Sequence, residues 1–252
     1  MATKKRKISA VRVFFTVLII TFLVIAILSV TVLFPIKSIS VSGESQYSHE
    51  EIVNASGLVV GNNILVVSEK GVSKTLSKQL PYIKSANLKR TLSGNITVTV
   101  SPEEKGYCCE YKDSFVVISK SLKVLELKAK RDKNAARILG IDSFTFEAGE
   151  PFIINDETKN RCFITLADLA DKYDIKLTVI DLNNISDITV KIDNRLIVKF
   201  GTTVDIENKF AHLNEMLKSI NDSAEGVIDL KTWSIDKAEG YFRKGDISNY
   251  FK

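Results

Sequence analysis

Apolar and polar positions along the chain fall into three regimes. From Val13 to Leu33 (VFFTVLIITFLVIAILSVTVL) the sequence runs for 21 positions without a charge, Gly or Pro. As a helix this stretch would be roughly 32 Å long at about 1.5 Å per residue, matching a hydrocarbon core of about 30 Å. A soluble core helix would carry a polar face, whereas the few polar side chains here (Thr16, Thr21, Ser29, Thr31) can bond back to their own helix carbonyls. The run reads as a transmembrane helix over residues 13–34. Its length, and Pro35 close behind it without an A-x-A-like exit, favour an uncleaved anchor over a signal peptide.

The second regime, residues 35–103, changes period within a few residues. Ile39 and Val41 alternate with serines up to Gly43, a strand pattern. Ser48-His49-Glu50-Glu51 fits a capping box that opens a short helix through Ile52, Val53 and Ala55, with Gly57 placed to stop it. Val72, Leu76 and Leu80 then form a helical stripe ending before Pro81. Two strands follow: Ala86 and Leu88 alternate in one, Ile96, Val98 and Val100 in the other, across a turn at Ser93-Gly94-Asn95. The order is β-α-α-β-β. His49 reads as a first-turn surface residue.

The third regime, residues 104–235, is mainly strand-like. Phe115 to Ile118 and Lys123 to Leu127 form one hairpin around Lys120-Ser121, and Ile188–Ile192 and Leu196–Phe200 form a second around Asp193-Asn194. Gly140, Gly149 and Pro151 mark turns in ILGIDSFTFEAGEPF. Leu166, Leu169, Ala170 and Tyr173 predict a helix capped by Asp156 or Asn160, and Phe210, Leu213, Leu217 and Ile220 predict another carrying His212. Leu177–Asp181 and Val227–Leu230 are further strands. Residues 236–252 hold either a short edge strand around Ala238, Tyr241 and Phe242 or a frayed terminus. The fold class is α+β: a transmembrane helix, a β-α-α-β-β module, then a mainly antiparallel β domain with two or more helices.

Charge adds a direction. The chain has 35 Lys and Arg against 30 Asp and Glu, and removing the five basic residues of the first twelve (Lys4, Lys5, Arg6, Lys7, Arg12) leaves 30 against 30. A basic flank keeps residues 1–12 in the cytoplasm and places the rest outside. The neutral remainder gives no support to nucleic-acid binding, which needs a basic surface; the basic run Lys128, Lys130, Arg131 and Lys133 reads as a solvated loop.

Candidate chemistry is sparse. Adjacent Cys108 and Cys109 on a strand would face opposite ways, making them poor joint metal ligands; either one pairs with Cys162 or all three are half-buried thiols. With two His in the chain, neither a Cys/His metal site nor a cofactor is expected. No G-x-S-x-G, H-E-x-x-H, G-x-x-x-x-G-K or paired C-x-x-C motif occurs. The chain thus reads as a non-enzyme. The competing readings are a membrane-anchored cell-wall enzyme using a carboxylate pair and an exported accessory protein that holds a client in a groove. The N-x-S/T triplets at Asn54, Asn95, Asn184 and Asn221 read as chance matches.

The element order over 35–103, with LPYIKSANLKRTLSGNITVTV at its end, resembles a POTRA module. Together with the basic tail, the anchor and the ordered stretches FVVISKSLKVLEL, ILGIDSFTFEAGEPF, ISDITVKIDNRLIVKFG, GVIDLK and KAEGYF, it resembles the FtsQ/DivIB family of bacterial divisome proteins. The module's exit, Val100-Ser101-Pro102-Glu103-Glu104, departs from the family's pattern. The resemblance implies a single-pass scaffold of the cell membrane, at the division septum. It would bind FtsB/DivIC-like and FtsL-like membrane proteins and, through them, contact the septal peptidoglycan synthase. It also implies a partner strand added at the C-terminal edge. The matching positions here are Val227, Ile228, Asp229 and Leu230, with Lys237, Ala238, Glu239, Gly240, Tyr241 and Phe242 as the edge and Tyr241 and Phe242 as apolar anchors.

Overall fold

A computed structural model describes residues 10–233 and 240–251 and, in the first helix, the side chains of residues 12–25. The predicted Lys237, Ala238 and Glu239 lie outside the described residues. That first helix, α1, covers Ala10–Leu33. Its large apolar side chains between Val13 and Ile25 are 48–72% exposed. Among the described residues no helix is long and apolar enough to cross a membrane.

The chain divides into two compact units, Met1–Pro102 and Glu103–Lys252. In the first, β1 (Ser38–Ser42) is followed by α2 (His49–Ser56), α3 (Glu69–Gln79), β2 (Ile83–Arg90) and β3 (Asn95–Pro102). The capping box forms: the Glu51 N–H donates to Ser48 Oγ at 3.2 Å and the Ser48 N–H donates back to Glu51 Oε2 at 2.8 Å. These bonds hold the Glu51 carboxyl below its ordinary pKa. Gly57 ends α2 in the left-handed region at φ 69°. The sheet order is β1-β3-β2, with β1 parallel to β3 and β2 antiparallel to it. Ile52, Leu76, Ile83, Ile96 and Val98 fill the core.

The second unit runs β4 (Lys105–Tyr111), β5 (Ser114–Ser119), β6 (Val124–Lys128), β7 (Ala136–Leu139), β8 (Phe144–Thr145), β9 (Ile153–Ile154), α4 (Glu157–Lys172), β10 (Leu177–Asp181), β11 (Ile188–Ile192), β12 (Leu196–Gly201), α5 (Ile206–Ser219), β13 (Gly226–Asp229) and β14 (Tyr241–Lys244). Asp156 is the cap of α4, accepting from the N–H groups of Thr158 and Lys159 at 2.9 and 3.0 Å. Nine strands form one sheet in the order β14-β13-β12-β11-β10-β7-β4-β5-β6; β8 and β9 pair apart from it.

The sheet is mainly antiparallel, as expected, with five of its eight pairings of that kind, but β4 pairs with β7, β7 with β10 and β12 with β13 in parallel. Parallel neighbours need a crossover, and here α4 lies in the connection from β7 to β10 and α5 in that from β12 to β13. Strands β10 and β12 both run antiparallel to β11, so they share a direction. Both crossovers therefore step the same way from strands of like orientation, and a common hand puts both helices on one face. Residues from α4 (Phe163, Leu166) and α5 (Phe210, Leu213) accordingly join one core with Val190, Val198 and Ile228.

All three cysteines are buried and free. Cys109 belongs to the helix-side core, whereas Cys108 points to the other face, where its thiol lies 3.9 Å from the Ala135 carbonyl oxygen.

Candidate functional site: the terminal edge of the sheet

The open end of the nine-stranded sheet is built from β12, α5 and the two strands that follow. Leu196, Val198 and Phe200 alternate inward along β12, and the Phe200 ring stacks on Phe210 of α5 with centroids 4.8 Å apart. Lys209 of α5 is buried. Its ammonium donates to the Phe200 carbonyl oxygen at 2.8 Å and the Thr202 carbonyl oxygen at 3.3 Å, tying the strand end to the helix start, and burial lowers its pKa. From this base β13 runs parallel to β12, and the Leu230 N–H continues the ladder to the Lys199 carbonyl oxygen at 2.9 Å.

Strand β14 closes the order, pairing antiparallel with β13: Tyr241 opposite Asp229, Phe242 opposite Ile228, Arg243 opposite Val227, Lys244 opposite Gly226. Of the predicted edge residues, Tyr241 and Phe242 are in the strand and Gly240 precedes it. The described strand runs on past them to Arg243 and Lys244. Gly240 passes close over α5, where a Cβ would come within 3.0 Å of side-chain atoms of Leu230, His212 and Met216. His212 is half-buried, its ring 5.8 Å from that of Trp233. The two predicted anchors point opposite ways. Phe242 packs on the helix-side core beside Ile228; Tyr241 is 59% exposed on the other face.

Backbone direction in β14 follows from one bond. The Gly245 N–H donates to the Glu225 carbonyl oxygen at 3.1 Å, which makes that facing pair a hydrogen-bonded one. Antiparallel pairs alternate between bonded and non-bonded, so the backbone groups of Arg243 and Tyr241 face β13, and those of Phe242 and Lys244 face outward along the open edge. Gly226 permits this approach, since a Cβ there would overlap the Arg243 carbonyl oxygen. Sequence reasoning passed over Gly226, Arg243 and Lys244. The signal for Gly226 was a glycine at the head of a strand, which marks a close backbone approach; Arg243 and Lys244 carry no apolar signal.

The unit also has a cavity of about 240 Å³ lined by Lys105, Tyr107, Lys120, Asp171, Asp174 and Lys176, among others. Two of its cations are paired, Lys105 with Asp132 at 2.9 Å and Lys120 with Glu104 at 2.6 Å. Its lining contains no Ser, Cys or His. Among the described residues no cluster of three or more His, Cys, Asp or Glu side chains is placed to hold a metal ion.

An FtsQ-type POTRA domain model matches residues 34–101. The chain is 27% identical to the cell division protein DivIB of Clostridium botulinum (strain Hall) over 234 residues, covering 90% of this chain and 89% of that protein. It is 25% identical to DivIB of Clostridium tetani over 203 residues (78% and 76%) and 26% identical to DivIB of Clostridium acetobutylicum over 191 residues (74% and 74%). With the β-α-α-β-β module inside the matched range and the β-rich unit behind it, the chain is similar over most of its length to cell-division proteins of the FtsQ/DivIB family.

Proposed function

We propose that this protein is a non-enzymatic scaffold of the division septum, held in the cell membrane by α1 and docking a partner by strand addition to β14. The observation that carries the reading is the four-residue strand at the open end of the sheet, with Phe242 and Lys244 directing backbone groups outward. Main-chain pairing along such an edge supplies affinity, and pockets for alternate side chains supply selectivity. The partners are FtsB/DivIC-like and FtsL-like membrane proteins, with the septal peptidoglycan synthase reached through them. The relatives named DivIB support the setting. The membrane reading rests on the uncharged run Val13 to Leu33 and on the exposure of its side chains up to Ile25. The basic flank puts the N-terminus in the cytoplasm and the two compact folds outside.

A proline at position 244 tests this edge. Lys244→Pro removes an outward N–H and leaves the bonds to β13 in place, as proline is tolerated on an edge. In the full-length protein in detergent, binding of the extracytoplasmic segment of the FtsB/DivIC-like partner should weaken at least tenfold, with circular dichroism and Trp233 fluorescence unchanged. Unchanged affinity in Lys244→Pro, and in Gly226→Val, which pushes β14 off β13, would refute docking at this edge.

A further inference from the structure

Beyond α1, five large apolar side chains of the first unit stand out in water: Val59 (55% exposed), Val60 (59%), Leu65 (50%) and Val66 (77%) between α2 and α3, and Leu92 (88%) at the tip of the β2–β3 hairpin. Both segments are tied to the residues that directly follow α1. The Ile36 N–H donates to the Asn62 carbonyl oxygen at 2.7 Å, the Gly61 N–H to that of Ile36 at 2.8 Å and the Ile64 N–H to that of Phe34 at 2.9 Å. At the hairpin the Lys37 N–H donates to the Gly94 carbonyl oxygen at 2.7 Å, and the Arg90 guanidinium reaches the Val67 carbonyl oxygen at 2.7 Å. Two residues, Phe34 and Pro35, separate Leu33 from Ile36, a reach of at most roughly 10 Å over three Cα steps. If α1 ends at the outer face of a bilayer, the loop and the hairpin tip lie at that face whatever the tilt of the helix.

We infer that the 58–67 loop and the Leu92 hairpin tip form a membrane-contact surface that dips into the outer lipid interface beside the anchor. This rests on the membrane reading of α1. The chemistry fits: residues 58–68 and 91–95 carry no charge, the flanking exposed Lys37, Lys89 and Arg90 suit anionic headgroups, and the nearest acid along the chain is Glu69 at the start of α3. Apolar side chains of this size at an interface are stabilised by leaving water, with a basic rim to hold the headgroups.

The test places a nitroxide at Val66→Cys, at Leu92→Cys or, as a control on the β4–β5 turn of the other unit, at Asp113→Cys. Each full-length variant is reconstituted in phosphatidylcholine vesicles with and without phosphatidylglycerol. The native thiols are buried, so labelling is directed to the new site. Collision with a water-soluble nickel chelate should be several-fold lower at positions 66 and 92 than at 113, and lower still with the anionic lipid. Equal accessibility at all three positions, in a chain that still resists alkaline carbonate extraction, would overturn the surface and leave the anchor standing. Extraction by carbonate would overturn the anchor and the surface with it. Shielding that appears only when the septal partners' extracytoplasmic segments are added would overturn it in favour of a protein contact.

Discussion

At the scale of single residues, the second unit's core holds groups that resist ionisation. Burial pushes the Tyr107 hydroxyl to about 12, helped by Asp171 and Asp168; it pushes the Cys109 thiol to about 12 and the Cys162 thiol to about 11. Each folded value exceeds the unfolded one, near 10 for tyrosine and 9 for cysteine. The stabilisation is therefore fully present below pH 9 and lost as pH rises through the folded values. Lys209 and Lys123 act in the opposite sense, because burial lowers their pKa values and deprotonation relieves them. Three buried acids outweigh them. The urea midpoint read from Trp233 fluorescence should hold from pH 7 to 8.5 and fall steadily between pH 9 and 12. A Cys109→Ala, Cys162→Ala variant should start lower, through the lost packing, and decline less steeply.

At the scale of elements, local chemistry decided what was legible. The capping box at Ser48, the stop at Gly57 and the hairpin at Asp193-Asn194 (φ 50° and 59°) act through neighbours in sequence and form where the pattern puts them. Asp156 is such a case: Asp156→Ala should cost about 1 kcal/mol of stability in urea denaturation, since two N–H donors lose their acceptor. What escaped depends on distant partners. β4 reads KGYCCEY and is buried on both faces, so it shows no two-residue period. The parallel pairing of β7 with β10 spans all of α4, and no local signal distinguishes it from an antiparallel meander. At the candidate site, β13 was legible from its apolar run, whereas β14 is half cationic and is held in register by Gly226 and Phe242 rather than by a periodicity of its own.

For the whole molecule, charge segregates into five cations ahead of the apolar run and a balanced remainder. Orientation should depend on those five. With Lys4, Lys5, Arg6, Lys7 and Arg12 all changed to Gln, the fraction of chains whose second unit is digested by protease added outside intact cells with permeable walls should drop markedly. A fraction equal to that of the unchanged protein would mean that the five cations do not set orientation.

Cys108 and Cys109 are adjacent on β4 yet sit in different layers, one beneath the helices and one on the opposite side. Their relative rates of alkylation in the native state form an internal clock for partial opening. Lifting α4 from the sheet would admit reagent to Cys109 while Cys108 stays shut, and complete unfolding would release both together. A ratio of rates near one would mean that the unit breathes only by coming apart as a whole; a ratio well above one would mean that the helical layer detaches by itself while the strand order, β14 included, persists.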